Sequence, residues 1–223
     1  INFFKVGLSK EAEIRATDIQ LSPEGTNWTL QTPFGNQKIN SKLLGIHNVY
    51  NQLVAVAGAL SQEMPLKTIV IGLEKIKRVP GRFDSVEKGQ PFSVIIDYAH
   101  TEDALTNVLK ACKSVTQKRI ILAFGCGGDR DRGKRPKMGR AAFEGADFLI
   151  VTSDNPRTEN PDSIIEDTCK GFPQTAKENV DFVCISDRRE AINHAIAIAQ
   201  PGDLVLIAGK GHEDYQILNS KTI

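Results

Sequence analysis

The sequence predicts an α/β fold whose larger, carboxyl-terminal part is an open, mostly parallel sheet, preceded by a smaller region of strands and helices. Two patterns carry that expectation. Short, nearly continuous apolar runs recur at 92–96, 119–124, 147–152, 181–186 and 203–208, as strands buried on both faces require. Helical patterns lie between them near 101–115, 135–145, 162–171 and 187–200, and this alternation is the signature of a parallel sheet with crossover helices.

The region before it has another texture. Residues 1 to about 45 are polar and strand-like; Trp28-Thr29-Leu30-Gln31-Thr32 alternates, and Pro23-Glu24-Gly25-Thr26-Asn27 reads as a turn. A helix is expected over 48–62, with apolar residues 49, 53, 56, 57 and 60 on one stripe. A second runs over 65–77, with Pro65 at its favourable start. Arg78-Val79-Pro80-Gly81-Arg82 reads as a linker, which divides the chain into regions 1–78 and 79–223.

Composition narrows the function classes. The 223 residues carry a formal net charge of +1, so no basic excess argues for nucleic acid. Hydrophobic residues make up 40% and charged residues 25%, as in ordinary soluble domains, and no apolar run approaches a membrane span. The first residues, Ile1-Asn2-Phe3-Phe4-Lys5, have neither the basic start nor the apolar stretch of a secretory leader, and the missing initiator methionine suggests a piece of a longer protein. Cys112, Cys126, Cys169 and Cys184 are scattered, without metal-ligand spacing or a disulfide framework, which suits a reducing cytoplasm.

Four of the apolar runs end in unusual polar segments: Asp97-Tyr98-Ala99-His100, Gly125-Cys126-Gly127-Gly128-Asp129-Arg130, Ser153-Asp154-Asn155-Pro156-Arg157 and Gly209-Lys210-Gly211-His212-Glu213-Asp214. In a parallel sheet all four fall on one edge, where open α/β domains bind ligands. Asp97 suits hydrogen bonds from ribose hydroxyls, or equally an N-cap. Glycines beside Arg130, Arg132, Lys134, Arg135 and Lys137 suggest an anion cradle, although no G-x-x-x-x-G-K-[ST] sequence occurs; a charged surface loop is the alternative. Arg157, after the rigid Asn155-Pro156 turn, suits a bidentate grip on a carboxylate. Gly209 allows close backbone approach, and Glu213 suits an ammonium group. Asn48 fits an N-cap, whereas Asn48 with Asn51 suits the polar edge of a base. Arg82 is either a solvated linker charge or a hinge arginine that reaches phosphate.

In this order the motifs resemble the Mur ligase family, which builds the peptide of the bacterial cell wall. The matching stretches are Gly45-Ile46-His47-Asn48-Val49-Tyr50-Asn51, Pro80-Gly81-Arg82-Phe83-Asp84, Asp97-Tyr98-Ala99-His100-Thr101, residues 125–136, Asp154-Asn155-Pro156-Arg157 and residues 209–216. The resemblance implies that 1–78 is the end of a central ATP-binding domain without its P-loop. It also implies that 79–223 is a Rossmann-like carboxyl-terminal domain that binds the amino acid.

ATP and Mg2+ are the cofactors implied, with no metal ligand among these residues. Asn48 and Asn51 would lie near adenine, Asp97 near ribose and Arg82 near the terminal phosphate; Arg82 and Asp97 would serve catalysis. Arg130, Asp154, Asn155, Pro156, Arg157, Gly209 and Glu213 would bind meso-2,6-diaminopimelate, because in this family the Asp-Asn-Pro-Arg form accompanies that amino acid. The implied reaction is cytoplasmic. It joins diaminopimelate to the D-glutamate carboxylate of UDP-MurNAc-L-Ala-D-Glu through an acyl phosphate, with no nucleic acid and no membrane insertion. A lysine-adding member and a non-catalytic amino-acid-binding module are the alternatives.

Overall fold

A computed structural model describes residues 4–22, 24–219 and 221–222. The chain divides into two compact units, Ile1–Val79 and Pro80–Ile223.

In the first unit, β1 (Val6–Gly7), β2 (Ile14–Ser22), β3 (Gly25–Thr32) and β4 (Gly35–Ser41) form a sheet in that order, with β1 parallel to β2 and the rest antiparallel. The alternation in β3 buries Trp28 and Leu30 on one face, against Ile14 and Ala16 of β2 and Ile39 of β4. The connection between β2 and β3 is tighter than the turn expected at 23–27. Ser22 already pairs with Gly25, so Thr26 and Asn27 belong to the strand.

Two helices close this core. The buried stripe of α1 (Ile46–Ser61) is Val49, Leu53, Val56 and Leu60, and α2 (Leu66–Lys75) adds Ile69 and Leu73. Gln52 falls on the same stripe yet is satisfied: its Oε1 accepts from Trp28 Nε1 at 3.2 Å, and its Nε2 donates to Ser41 Oγ at 2.6 Å. Asn48 is not the N-cap. The helix begins one turn earlier because Gly45, at φ 82°, takes the cap position that a side chain would resist.

The second unit is built on a six-stranded sheet. Its strands are β5 (Asp84–Ser85), β6 (Ser93–Asp97), β7 (Ile120–Phe124), β8 (Phe148–Val151), β9 (Phe182–Cys184) and β10 (Leu204–Ala208), in the order β5-β6-β10-β7-β8-β9. All pairings are parallel except that of the edge strand β5. The crossovers are α3 (Glu102–Val115), α4 (Lys134–Gly145), α5 (Pro161–Cys169) and α6 (Arg188–Ile198). Three start on side-chain caps: Thr101 Oγ1 accepts from Ala104 N, Asn160 Oδ1 from Asp162 N and Ser163 N, and Asp187 Oδ1 from Glu190 N.

Strand periodicity divides the core between two faces. Val94, Ile121, Ala123, Ile150 and Val205 pack with Ala191 and Ala195 of α6. The alternate residues, among them Ile95, Ile120, Leu122, Leu149, Leu204 and Leu206, are buried towards the opposite face. The chain therefore leaves β8 for α5 and the adjacent β9 for α6, and neighbouring strands that diverge in this way open a crevice at their carboxyl ends. A short hairpin, β11 (Ile217–Leu218) with β12 (Lys221–Thr222), follows β10.

Candidate functional site

Because β6, β10, β7 and β8 are parallel neighbours, their four polar exits do share one edge, with the exit of β10 between those of β6 and β7. At the β6 end, Asp97 is not an N-cap; α3 starts four residues later, on Thr101. Its carboxylate instead accepts from Phe83 N at 2.7 Å and Ala99 N at 2.8 Å, which locks Phe83 and its neighbour Arg82 beside the strand end. Arg82 is exposed and lies over the Tyr98 ring, 4.8 Å from its centroid. The segment around it is packed, not free, since a Cβ on Gly81 would come within 2.2 Å of His212 N.

Contacts then run without a break along the edge. Tyr98 donates its phenol to Glu213 Oε1 at 3.3 Å. The Glu213 carboxylate, and then burial, holds that phenol above its ordinary pKa. Glu213 Oε2 pairs with Lys210 Nζ at 3.3 Å, and Lys210 also donates to Asn155 Oδ1 at 3.0 Å. Asn155 Oδ1 accepts a second bond from Ile217 N at 2.9 Å. The Asn155 carbonyl accepts from Gly128 N at 2.9 Å and from Arg157 Nη1 at 3.3 Å, which brings the row to the arginine. Lys210 is only 6% exposed, so its ammonium belongs to the architecture of the site.

Arg157 sits at φ 52°, a conformation that costs a non-glycine residue about 1 kcal/mol or more. The surroundings impose it: Arg157 N donates to Ile217 O at 3.0 Å, and Asn219 N donates to Arg157 O at 2.7 Å. Its Nη1 donates to Gly128 O at 2.8 Å, while Nε and Nη2 have no protein partner among the described residues. That leaves the side-on fork that takes a carboxylate bidentately.

Asp154 Oδ2 is buried without a hydrogen-bond partner among the described residues, and such a group costs about 1–3 kcal/mol unless something donates to it. It lies beside Gly209, where φ is 110° and a Cβ would stand 3.0 Å from it. Arg188 is buried behind this point, donating to Ser153 O at 3.4 Å and Ala208 O at 2.9 Å, so it braces the ends of β8 and β10. Burial lowers its pKa, and the charges of Asp154 and Glu213 oppose that shift.

The segment 125–135 turns part of its cationic charge inward, to partners within the protein. Its glycines serve packing: a Cβ on Gly128 would come within 1.9 Å of Pro156 O. Arg135 is 1% exposed and pairs with Glu159 at 2.7 Å and Asp167 at 3.1 Å, and Arg132 pairs with the same Glu159 at 2.9 Å. The Arg135 hydrogen bond, followed by the Asp129 N–H, holds the Glu159 carboxyl down to about 2. Asp129 ties the segment to the next loop by accepting from Thr158 N at 3.2 Å and Thr158 Oγ1 at 2.8 Å. Arg130 is exposed, with Nη1 on its neighbour's carbonyl, Asp129 O, at 3.1 Å.

The amides of Asn48 and Asn51 belong to the amino-terminal unit. Asn48 is buried and committed internally, donating to Leu44 O at 2.9 Å and accepting from Asn51 Nδ2 at 3.2 Å. Asn51, exposed, presents the polar edge of the pair. A cavity of about 770 Å³ in this unit, lined among others by Phe4, Phe34, Leu60, Met64 and Leu66, includes none of the nominated residues. Among the described residues, no group of three or more His, Cys, Asp and Glu side chains is placed to hold a metal ion, and no helix is long and apolar enough to cross a membrane.

The row also engages four residues outside the nominated set: Lys210, Arg188, Tyr98 and Gln216, whose Nε2 donates to Asp154 O at 2.6 Å. Two of them carried a signal. Lys210 stands between two glycines at a strand end, and Arg188 places a cation in the first turn of a helix, against the dipole.

The sheet is that of an α/β domain of the doubly wound class, and the continuous polar row lies across the carboxyl ends of four strands, the edge where such domains bind ligands. The chain belongs to the Mur ligase family. Residues 81–211 match the model described as "Mur ligase, glutamate ligase domain", and residues 1–59 match "Mur ligase middle domain". The protein named UDP-N-acetylmuramoyl-L-alanyl-D-glutamate--2,6-diaminopimelate ligase in Syntrophomonas wolfei is 44% identical over 97% of this chain and 44% of its own length. Its namesake in Solibacter usitatus is 46% identical over 97% of this chain and 43% of its own. A solved structure of a ligase of that name superposes with a TM-score of 0.69 at 40% identity, covering 98% of this chain and 44% of the other. The chain thus spans less than half the length of the relatives it matches.

Proposed function

We propose that this chain is the amino-acid-binding part of an ATP-dependent ligase that forms an amide bond between the D-glutamate carboxylate of UDP-MurNAc-L-Ala-D-Glu and meso-2,6-diaminopimelate in peptidoglycan precursor synthesis. One observation carries the reading: the unbroken row Arg82, Tyr98, Glu213, Lys210, Asn155, Arg157. It joins residues suited to a nucleotide at one end to residues suited to a doubly charged amino acid at the other. The names of relatives over 40% identical supply the substrate pair.

Diaminopimelate carries two carboxylates and two amino groups. The free Nε–Nη2 edge of Arg157 takes one carboxylate, and exposed Arg130 is the candidate for the other. The unpartnered Asp154 oxygen and Glu213 take an ammonium group. The exclusion of L-lysine then follows, because lysine would leave a half-buried guanidinium edge unpaired. Amide formation is mostly a positioning problem once the amine faces an activated carbonyl, and rigid holders such as Asn155, Lys210 and Arg188 suit that task.

ATP fits these residues in part. Asp97 has lone pairs beyond its two backbone bonds for a ribose, and Arg82 is a cation for phosphate. The chemistry ATP would supply is activation of the glutamate carboxylate as an acyl phosphate. Mg2+ has no ligand cluster among the described residues. A cytoplasmic setting accords with this chemistry.

Calorimetric titration of the chain with meso-2,6-diaminopimelate and with L-lysine tests the reading. Tighter binding of diaminopimelate by tenfold or more is expected, and equal binding would remove the carboxylate clamp.

A further inference from the structure

Cys169 and Cys184 are fifteen residues apart in the chain, yet the fold brings their Sγ atoms to 3.7 Å. Cys169 ends α5, and Cys184 ends β9, the outermost strand of its sheet. Both are free thiols; Cys184 is exposed and Cys169 partly so, which separates them from the buried Cys112 and Cys126. Burial pushes those two thiols up and keeps them inert.

We infer that Cys169 and Cys184 form a modification site, a vicinal dithiol that a hydroperoxide converts to an intramolecular disulfide. An S–S bond needs about 2.05 Å, so the sulfurs must close by roughly 1.7 Å. Side-chain torsions at a helix end and on an edge strand can supply that approach. One S–H hydrogen-bonds to the other sulfur, which lowers the Cys184 thiol, while burial and the nearby Glu178 oppose the shift. Cys184 is the exposed sulfur of the pair, so it is the one a hydroperoxide reaches first, and its thiolate is the nucleophile.

The step balances. The Cys184 thiolate attacks the peroxide oxygen, the O–O bond breaks, and one water leaves after protonation, giving the sulfenic acid. Cys169 sulfur then displaces the second oxygen as water and forms the S–S bond. Two thiols lose two electrons and two protons, and hydrogen peroxide is reduced to two waters.

The bond would tie together two segments that support the candidate site. After Cys184, Ile185 N donates to Val151 O at 3.0 Å, and Ser186 O accepts from Ser153 N at 3.3 Å, immediately before Asp154. Before Cys169, Asp167 holds Arg135. The inference stands on the thiols themselves and does not depend on the proposed ligase activity.

The test treats the reduced 223-residue chain with a small excess of hydrogen peroxide. Two of the four thiols should become untitratable after denaturation, with a mass loss of about 2 Da, a peptide joining Cys169 to Cys184, and full recovery on adding dithiothreitol. In the near-isosteric Cys169→Ser variant the reaction should stop at Cys184 as a sulfenic acid that dimedone traps. Four titratable thiols after treatment, a disulfide-linked dimer, or a gain of about 32 Da at one cysteine of the unmodified sequence would each overturn the inference.

Discussion

Arg135, in the segment after β7, and Arg157, in the loop after β8, are both guanidiniums at the carboxyl edge of the same sheet, but they end in opposite states. Arg135 is 1% exposed and has two carboxylate partners, Glu159 and Asp167. Arg157 is anchored by Nη1 on carbonyl oxygens and keeps Nε and Nη2 without a protein partner among the described residues. The first segment looks the more cationic in sequence, yet much of its charge is neutralised within the protein. A run of basic residues measures charge; capacity to bind depends on what the fold leaves unpaired.

The largest expected effect breaks the first arginine. Arg135→Met removes one side of a buried ion-pair triad and should destabilise the chain by about 3 kcal/mol in urea unfolding. A loss under about 1 kcal/mol would mean that the segment is not held by this pair.

Acid should loosen the same contact. Glu159 titrates near 2 in the fold, below its ordinary value, so the unfolded chain binds the proton more readily. Its stabilisation is present above the unfolded carboxyl pKa, near 4.3, and is lost as pH falls through the folded value, on the order of 3 kcal/mol in all. Glu159→Gln should flatten stability between about pH 4.5 and pH 2, and an unchanged slope would assign acid lability to other carboxylates.

A smaller effect should mark the other loop. Lys210→Met leaves Asn155 with its Ile217 bond but removes the ammonium shared with Glu213. Binding of diaminopimelate should weaken about tenfold, some 1.4 kcal/mol, with a stability change near 1 kcal/mol. Unchanged binding would make Lys210 a purely structural charge.

How legible all this was in the sequence depends on the range of the interactions. The five mutually parallel strands of the larger sheet, β6 to β10, were readable because each is a local apolar run, and α1 because its stripe is periodic. The two-residue strands β5, β11 and β12 were not, being too short to make a pattern. Asp97, Arg157 and Glu213 were readable as residue types at strand ends. Their partners were not: Lys210 meets Asn155 across 55 positions, and Tyr98 meets Glu213 across 115. The pairing of Arg135 with Glu159, and the approach of Cys169 to Cys184, are tertiary facts that no local pattern announces. Asn48 shows the converse, where a good local N-cap lost to a glycine three residues earlier.

The most direct measurement is the diaminopimelate titration repeated with Arg157→Ala and with Arg132→Ala, the latter removing an exposed arginine already paired with Glu159. Arg157→Ala should cost at least tenfold in affinity and erase the preference over L-lysine, while Arg132→Ala should leave both nearly unchanged. The reverse pattern, with affinity lost at Arg132 and kept at Arg157, would contradict the assignment of binding to the loop after β8.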